Sequence, residues 1–375
     1  MIRLVGILFL ALVGCAGGGA ASDPFTEVRY APTYASGFTI VAEPDHQSTL
    51  LRTYTPWQGA QEQHSELLIR RGGEPIPACY KGQVIEGNAR RVVCLSSSYV
   101  ALFDAIGEVD AVVAVSGLPF ITNSAIRAKG DRVADIGYDS NLNYELLLSV
   151  APDLVLLYGV SNASEMEHKL RELQIPYLYM GEYLEQSPLG KAEWMVFAAE
   201  LLGRREVGEE RFKPLPERYE ELRSLAASAT HRPKVMLNTP YRESWYMPSV
   251  DNYIVRLIGD AGGDYIYPQN VGTTSVVIDL EEAYLLCAEA DYWLNFGPLD
   301  TRADLQRQFP RFANVDCVRR GAIYNNNCRA TAAGGNDFWE SGVVHPDLVL
   351  RDLIRILHPE LMADTVELTY YKPLE

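Results

Sequence analysis

Between residues 90 and 160 the chain alternates short, wholly apolar runs with apolar-periodic segments, and that alternation leaves few folds open. Arg91-Val92-Val93-Cys94-Leu95 reads as a buried strand. Ser96, Ser97 and Ser98 follow, then a periodic stretch from Tyr99 to Ile106 that stops at Gly107. A strand, a serine-rich turn and a glycine-stopped helix open a βαβ unit. Further strands are predicted at Ala111–Val115 and in Ala151–Tyr158, with a short helix at Asn141–Leu147 between them. Strands that are apolar on both faces belong to parallel sheets covered by helices on both sides.

The same alternation returns after residue 231. Strands are predicted at Lys234–Asn238, Tyr292–Phe296 and Gly321–Tyr324, and helices at Asn252–Ile258, Asp279–Cys287 and Leu348–Leu357. A chain of 375 residues has room for two lobes, each with its own core. Between them, Lys191 to Leu202 has helical spacing, ends at Gly203 and continues past Pro214 and Pro216 to about Ala229. Ahead of the first lobe, Phe38–Val41 and Leu50–Tyr54 flank a turn-rich Glu43-Pro44-Asp45-His46, which predicts a hairpin appended to the edge of the first lobe's sheet. The net charge of −16 argues against nucleic acid and anionic membrane surfaces as partners.

These residues carry a resemblance. The order RVVCLSSS, ALFDAIG, AVVAVSG and NLNYELLLSVAPDLVLLYG resembles the N-terminal lobe of the helical-backbone class of ABC-importer substrate-binding proteins, which bind ferric siderophores, haem and vitamin B12. The likeness runs from about residue 90 to 358, with decreasing sharpness. It implies two three-layer α/β lobes joined by a long rigid helix, here with an N-terminal β extension. The expected boundaries are a signal peptide over 1–15, a tether over 16–36, the β extension over 37–89, the first lobe over 90–187, the connecting helix over 188–230 and the second lobe over 231–375. A rigid helical connector implies little lobe motion on binding.

The start of the chain resembles a bacterial lipoprotein precursor. Arg3 precedes an apolar run over Leu4–Val13, too short to span a bilayer, and Leu12-Val13-Gly14-Cys15 reads as a lipobox. The resemblance implies lipidation of Cys15 and a place in the cell envelope, outside the cytoplasm, with the membrane touched by the lipid anchor alone. Five other cysteines remain, an odd number, and whether Cys317 and Cys328 pair is left open.

Ligands of open parallel sheets sit beyond the carboxyl ends of the strands. The residues found there are Ser98, Tyr99, Tyr158 and Tyr183 in the first lobe, and Arg242, Trp245, Tyr246, Asn295 and Arg329 in the second. This mixture of aromatic, amide and guanidinium groups suits a large, oxygen-rich chelate. Each has a plainer reading: Tyr158 as a strand cap, the arginines in surface ion pairs, Asn325–Asn327 as a turn. The loop with Asn336, Asp337 and Trp339 is left unplaced.

The family also implies one acidic residue at the tip of each lobe that docks on the permease. Glu145 matches in the first lobe and Glu281 in the second, with Glu282 as the alternative. Acids in a helix's first turn also complement its dipole, so their presence alone decides nothing.

No HExxH, GxSxG or phosphate-loop motif is present, and the six histidines are scattered, so no enzyme activity, cofactor or metal site is expected. The expected role is a monomeric binding lipoprotein that takes a ferric siderophore, or alternatively a corrinoid or haem, to an ABC permease. A ligand-sensing or interaction protein without transport is the competing class.

Overall fold

The computed structural model describes residues 23–60, 63–138, 141–159 and 165–375, so Cys15 and the signal segment lie outside the described residues. Five strands come first: β1 (Glu27–Tyr30), β2 (Phe38–Ala42), β3 (Thr49–Tyr54), β4 (His64–Arg70) and β5 (Gln83–Glu86). They form one sheet in that order, antiparallel except for the β4–β5 pair. The predicted hairpin is present, with Phe38 opposite Thr53. Two expectations change here. The tether over 16–36 is too long, because β1 pairs with β2 and belongs to the folded unit. The extension is also a sheet of its own, not an enlargement of the first lobe's sheet.

The first lobe contains β6 (Val92–Cys94), α1 (Ser97–Ala105), β7 (Val112–Val115), α2 (Ser124–Ala128), β8 (Ala134–Asp135), α3 (Tyr144–Ser149), β9 (Leu154–Leu157), α4 (Glu165–Glu172) and β10 (Tyr177–Tyr179). Its sheet is fully parallel in the order β10-β9-β6-β7-β8. The edge strand β10 is closed by a side chain. Gln83 Nε2 donates to the Tyr177 carbonyl at 2.7 Å, and the Tyr177 amide donates back to Gln83 Oε1 at 3.0 Å.

The connector is helical but divided into α5 (Pro188–Leu201), α6 (Arg205–Phe212) and α7 (Leu215–Ala226), where one long helix was expected. Gly203, at φ 68°, turns the chain after α5, and Pro214 and Pro216 sit at the start of α7, where a missing N–H costs least. Gly208 lets α6 lie close on α5. A Cβ there would come within 2.8 Å of the Ala199 Cβ.

Helix α5 is buried along its whole length. The rings of Trp194 and Phe197 pack on Phe38 at 4.9 and 5.2 Å, joining α5 to the N-terminal sheet. Its buried acids need donors, and that sheet supplies them. Glu193 accepts from the amides of Thr33, Tyr34 and Ala35 and from the Tyr30 hydroxyl, all at 2.7–2.8 Å. Glu200 accepts from Thr49 Oγ1 and pairs with Arg71 at 2.9 Å. Just ahead of the helix, Glu185 accepts from Ser36, Gly37 and the Trp194 indole.

The second lobe contains β11 (Lys234–Leu237), β12 (Trp245–Met247), α8 (Tyr253–Asp260), β13 (Asp264–Tyr265), β14 (Val276–Ile278), α9 (Leu280–Glu289), β15 (Tyr292–Leu294), α10 (Arg302–Gln308), α11 (Asp316–Arg320), β16 (Ile323–Asn325), α12 (Pro346–Leu357) and β17 (Lys372–Pro373). Its sheet runs β13-β11-β15-β16-β17, with only β17 antiparallel, and β12 and β14 form a separate ribbon. Buried Asp352 of α12 accepts from the amides of Thr369, Tyr370 and Tyr371 and so fixes the last strand.

Replacing Glu193 with Ala would leave three backbone amides and a phenol without their acceptor. We expect a loss of at least about 3 kcal/mol in folding stability, read from denaturant midpoints. An unchanged midpoint would show that the sheet is held by its ring contacts alone.

Candidate functional site

Loops from the carboxyl ends of strands in both lobes meet. On one side, the loop after β7 is clasped to the loop after β16. Glu340 accepts from the amides of Thr122 and Asn123 at 2.8 and 2.7 Å, Thr122 Oγ1 donates to Asp337 at 2.9 Å, and Thr331 Oγ1 donates to the Pro119 carbonyl at 2.9 Å. Gly335 lies against the Phe120 carbonyl with no room for a Cβ. On the other side, Tyr183 and Gln186 after β10 face Asp251 and Tyr253 across a cavity of about 270 Å³.

The larger cavity, about 840 Å³, opens at the carboxyl ends of the second lobe's strands. Asn238, Asn295, Asn326 and Asn327 wall it, with Asp300, Lys372 and Trp339. Asn238 and Asn295 directly follow β11 and β15, and both adopt φ 67°. Asparagine tolerates this left-handed backbone better than most residues, which allows an amide side chain at each strand mouth. Asn325 braces the wall: its Oδ1 accepts from the Phe296 amide, and its Nδ2 donates to the carbonyls of Gly297 and Leu299. Asn327 donates to Asp300 at 2.8 Å, and its own buried Oδ1 has no hydrogen-bond partner. Lys372 donates to the same Asp300 at 2.9 Å.

From the first lobe, Tyr158 and Tyr183 form a tilted ring pair with centroids 4.7 Å apart. Burial, and next the charge of Glu182, push the Tyr158 phenol up. Burial, followed by its neighbour Tyr158, pushes the Tyr183 phenol up to about 12. Both therefore stand as neutral hydrogen-bonding groups. Glu182 itself is buried, and its Oε2 lacks a hydrogen-bond partner, with the Lys191 ammonium 3.9 Å away. Burial lowers the Lys191 pKa, and Glu182 opposes that shift.

The expected ligand residues separate into groups. Asn295 lines the larger cavity and Tyr183 the smaller one, while Tyr158 is half-exposed beside Tyr183. Tyr246, Arg242 and Arg329 are exposed but line neither cavity. Arg242 lies over the Tyr241 ring at 5.3 Å, and Arg329 is 3.5 Å from Asp337. Ser98 is buried, with its hydroxyl 2.8 Å from that of Ser96.

Two expectations are corrected. Tyr99 is 0% exposed, and its hydroxyl donates to the carbonyls of Leu157 and Met180, so it belongs to the core. Trp245 is also 0% exposed. Its indole donates to the Leu237 carbonyl at 2.9 Å, and its rings pack on Trp293 and Phe312. Trp339, which the sequence left unplaced, is the tryptophan of the cavity wall and is 48% exposed. Asn238, Asp300 and Lys372 were missed. For Asn238 a signal existed, since an asparagine closes an apolar strand there just as Asn295 does.

Glu145 lies in the first turn of α3, and Glu281 and Glu282 in the first turn of α9; all three are exposed. Asp279 Oδ1 caps α9 by accepting from the amides of Glu281 and Glu282. All five described cysteines are unbridged, with Cys317 buried and Cys328 exposed. No described helix is long and apolar enough to cross a membrane.

Two α/β lobes with a polar cleft between them define a solute-capturing protein. The profile of the family described as periplasmic binding protein matches residues 92–326, and the chain belongs to that family, in its helical-backbone class. It is a family of solute-binding proteins, not of enzymes. An uncharacterized lipoprotein of Methanocaldococcus jannaschii is 25% identical over 315 residues, 79% of this chain and 73% of the relative. Among solved structures, a periplasmic heme-binding protein of Pseudomonas aeruginosa superposes with a TM-score of 0.60 at 15% identity, over 76% of this chain and 98% of its own. The vitamin B12 binding protein of Vibrio cholerae gives 0.54 at 15%, over 73% and 99%. The siderophore-binding protein of the same organism, solved with Fe3+–Desferal, gives 0.53 at 18%, over 72% and 99%. At these identities the structures speak for the fold alone.

The clasp should be sensitive to pH. Burial pushes the Glu340 carboxyl from 4.5 up to about 7, against the pull of the Thr122 and Asn123 hydrogen bonds. Between those values the folded chain holds a proton that the unfolded chain releases. This group's contribution to stability therefore falls as pH rises through that window. Denaturant midpoints at about pH 5 and about pH 8 should show a shallower decline in Glu340→Gln than in the parent. Equal slopes would rule out Glu340 as the source.

Proposed function

We propose that this chain is the substrate-binding subunit of an ABC importer and that it captures a ferric siderophore-type chelate outside the cytoplasm. The observation that carries the ligand class is the 840 Å³ cavity, walled by amides, one Asp–Lys pair and an exposed indole. Its described lining holds no histidine and no tyrosine. Such walls hydrogen-bond to a chelate's oxygens and stack on its apolar parts, while the chelator keeps the iron's coordination sphere. Haem would draw on a phenolate or imidazole as axial ligand, and the described lining of this cavity holds neither. Asn327 lines this wall and donates to Asp300, which fixes the wall's polar face.

Delivery would use the two exposed first-turn acids, Glu145 and Glu281, as docking points for cationic residues of the permease. In this reading lipidation of Cys15 anchors a monomer at the membrane surface, and ATP hydrolysis belongs to partner subunits.

Titrating the full chain in detergent with the ferric complex of Desferal should quench tryptophan emission saturably. Trp339→Phe should remove most of that quench, and Asn327→Ala, which removes the amide that donates to Asp300 in the cavity wall, should weaken binding by roughly tenfold. Saturation by haemin or cyanocobalamin instead would replace the ligand assignment, and silence toward all three would overturn it.

Changing Glu145 and Glu281 together to Ala should abolish ligand uptake by cells while leaving binding intact. Uptake at the parent rate would defeat the docking assignment and favour a sensing role.

A further inference from the structure

At the edge of the second lobe opposite the cleft, three side chains from distant parts of the chain converge. His231 lies in the segment that enters β11 from its amino end, and His358 and Glu360 follow the last turn of α12. One ligand-capable atom from each lies within 4.8 Å of the others. The two imidazole rings meet edge-on, with centroids 5.3 Å apart and planes at 72°. We propose that His231, His358 and Glu360 form a binding site for a divalent transition-metal cation of the zinc type.

The hydrogen bonding of His358 carries the argument. Its side chain is 0% exposed, and Nε2 lies 3.2 Å from the Gly262 carbonyl oxygen. A carbonyl can only accept, so Nε2 carries the proton in that contact. In the neutral ring Nδ1 then presents a lone pair. That atom is buried, has no hydrogen-bond partner, and faces Glu360 Oε1 at 3.4 Å. A carboxylate oxygen and a bare ring nitrogen repel at that distance unless a cation or a proton lies between them. A backbone carbonyl that fixes the tautomer and turns the other nitrogen outward is the usual orienting contact of a metal-bound histidine.

The spacing fits as well. Zinc holds nitrogen and oxygen ligands at about 2.0–2.2 Å, so neighbouring ligands of a tetrahedron sit about 3.4 Å apart. The Nδ1–Oε1 separation already has that value. His231 and Glu360 are exposed, so the third ligand closes by a side-chain adjustment on an accessible surface, and a water completes the four. Such an ion would tie the exit of the connector to the end of α12. It is independent of the cleft and of its ligand.

The test is titration of the full chain in detergent with Co2+ and Zn2+, with no siderophore present. One equivalent of Co2+ should give the intense visible bands of a four-coordinate ion. One equivalent of Zn2+ should raise the thermal midpoint, and EDTA should reverse that rise. His231→Ala and Glu360→Gln change exposed residues, so both variants should fold, as checked by circular dichroism. Each should lower metal affinity by about 100-fold or more, at least as much as the loss of an orienting partner costs. Several results would overturn the site. These are no saturable binding by the folded parent, equal binding by both variants, weak bands of a six-coordinate aquo ion, or NMR showing a metal-free His358 imidazolium paired with Glu360 under saturating Zn2+.

Discussion

A helix buried on every face has nowhere to put a carboxylate except against a donor, and α5 carries two within its span, with a third just ahead of it. Glu185, Glu193 and Glu200 are each satisfied by the N-terminal sheet or by the turn that leads into it. The requirement is close to obligatory, since an unpaired buried charge costs several kcal/mol. The sheet is thus the solvation shell of the connector's charges as well as a hydrophobic cover. Both lobes pack on the same helix, so their separation, and with it the cleft, follows from how that helix is satisfied. One continuous apolar cluster runs from β2–β4 through α5 and α1 to α12.

The parts of the fold visible in the sequence were those that periodicity reports. The apolar strands β6, β9, β11 and β15 and the helices α1, α8, α9 and α12 lie within a few residues of their predicted places. Short elements bounded by tertiary contacts escaped. The ribbon of β12 and β14 is one example, and α10 is another, although its Thr301–Asp304 capping box is a local signal that can be read. The break of the connector at Gly203 was marked by the glycine, but nothing local says that α6 folds back on α5.

The site was less legible, and Trp245 shows why. Residues 245 and 246 both follow β11, and both looked like wall residues. They lie in β12, where successive side chains point to opposite faces, so both could not face the same space. Met247 and Trp245 turn inward and Tyr246 outward. Tyr99 failed for the helical version of the same reason. It is the third residue of α1, on the face that packs beneath the sheet's end. Strand-end logic finds the rim of a cleft; which rim residues face inward depends on pairings that only the folded chain reveals. The asparagines are the exception, because a strand-end asparagine signals left-handed backbone and hence a side chain held at the mouth.

The amide of Gln83 occupies the free hydrogen-bonding positions of β10 as a neighbouring strand would, donating and accepting at Tyr177. At the far edge β8 is two residues long, and Asp135 accepts from the amides of Gly117, Leu118 and Gly137. Neither border of this parallel sheet is left as a template for strand addition by a second molecule. Crowded copies at a surface could then meet repeatedly without zipping edge to edge.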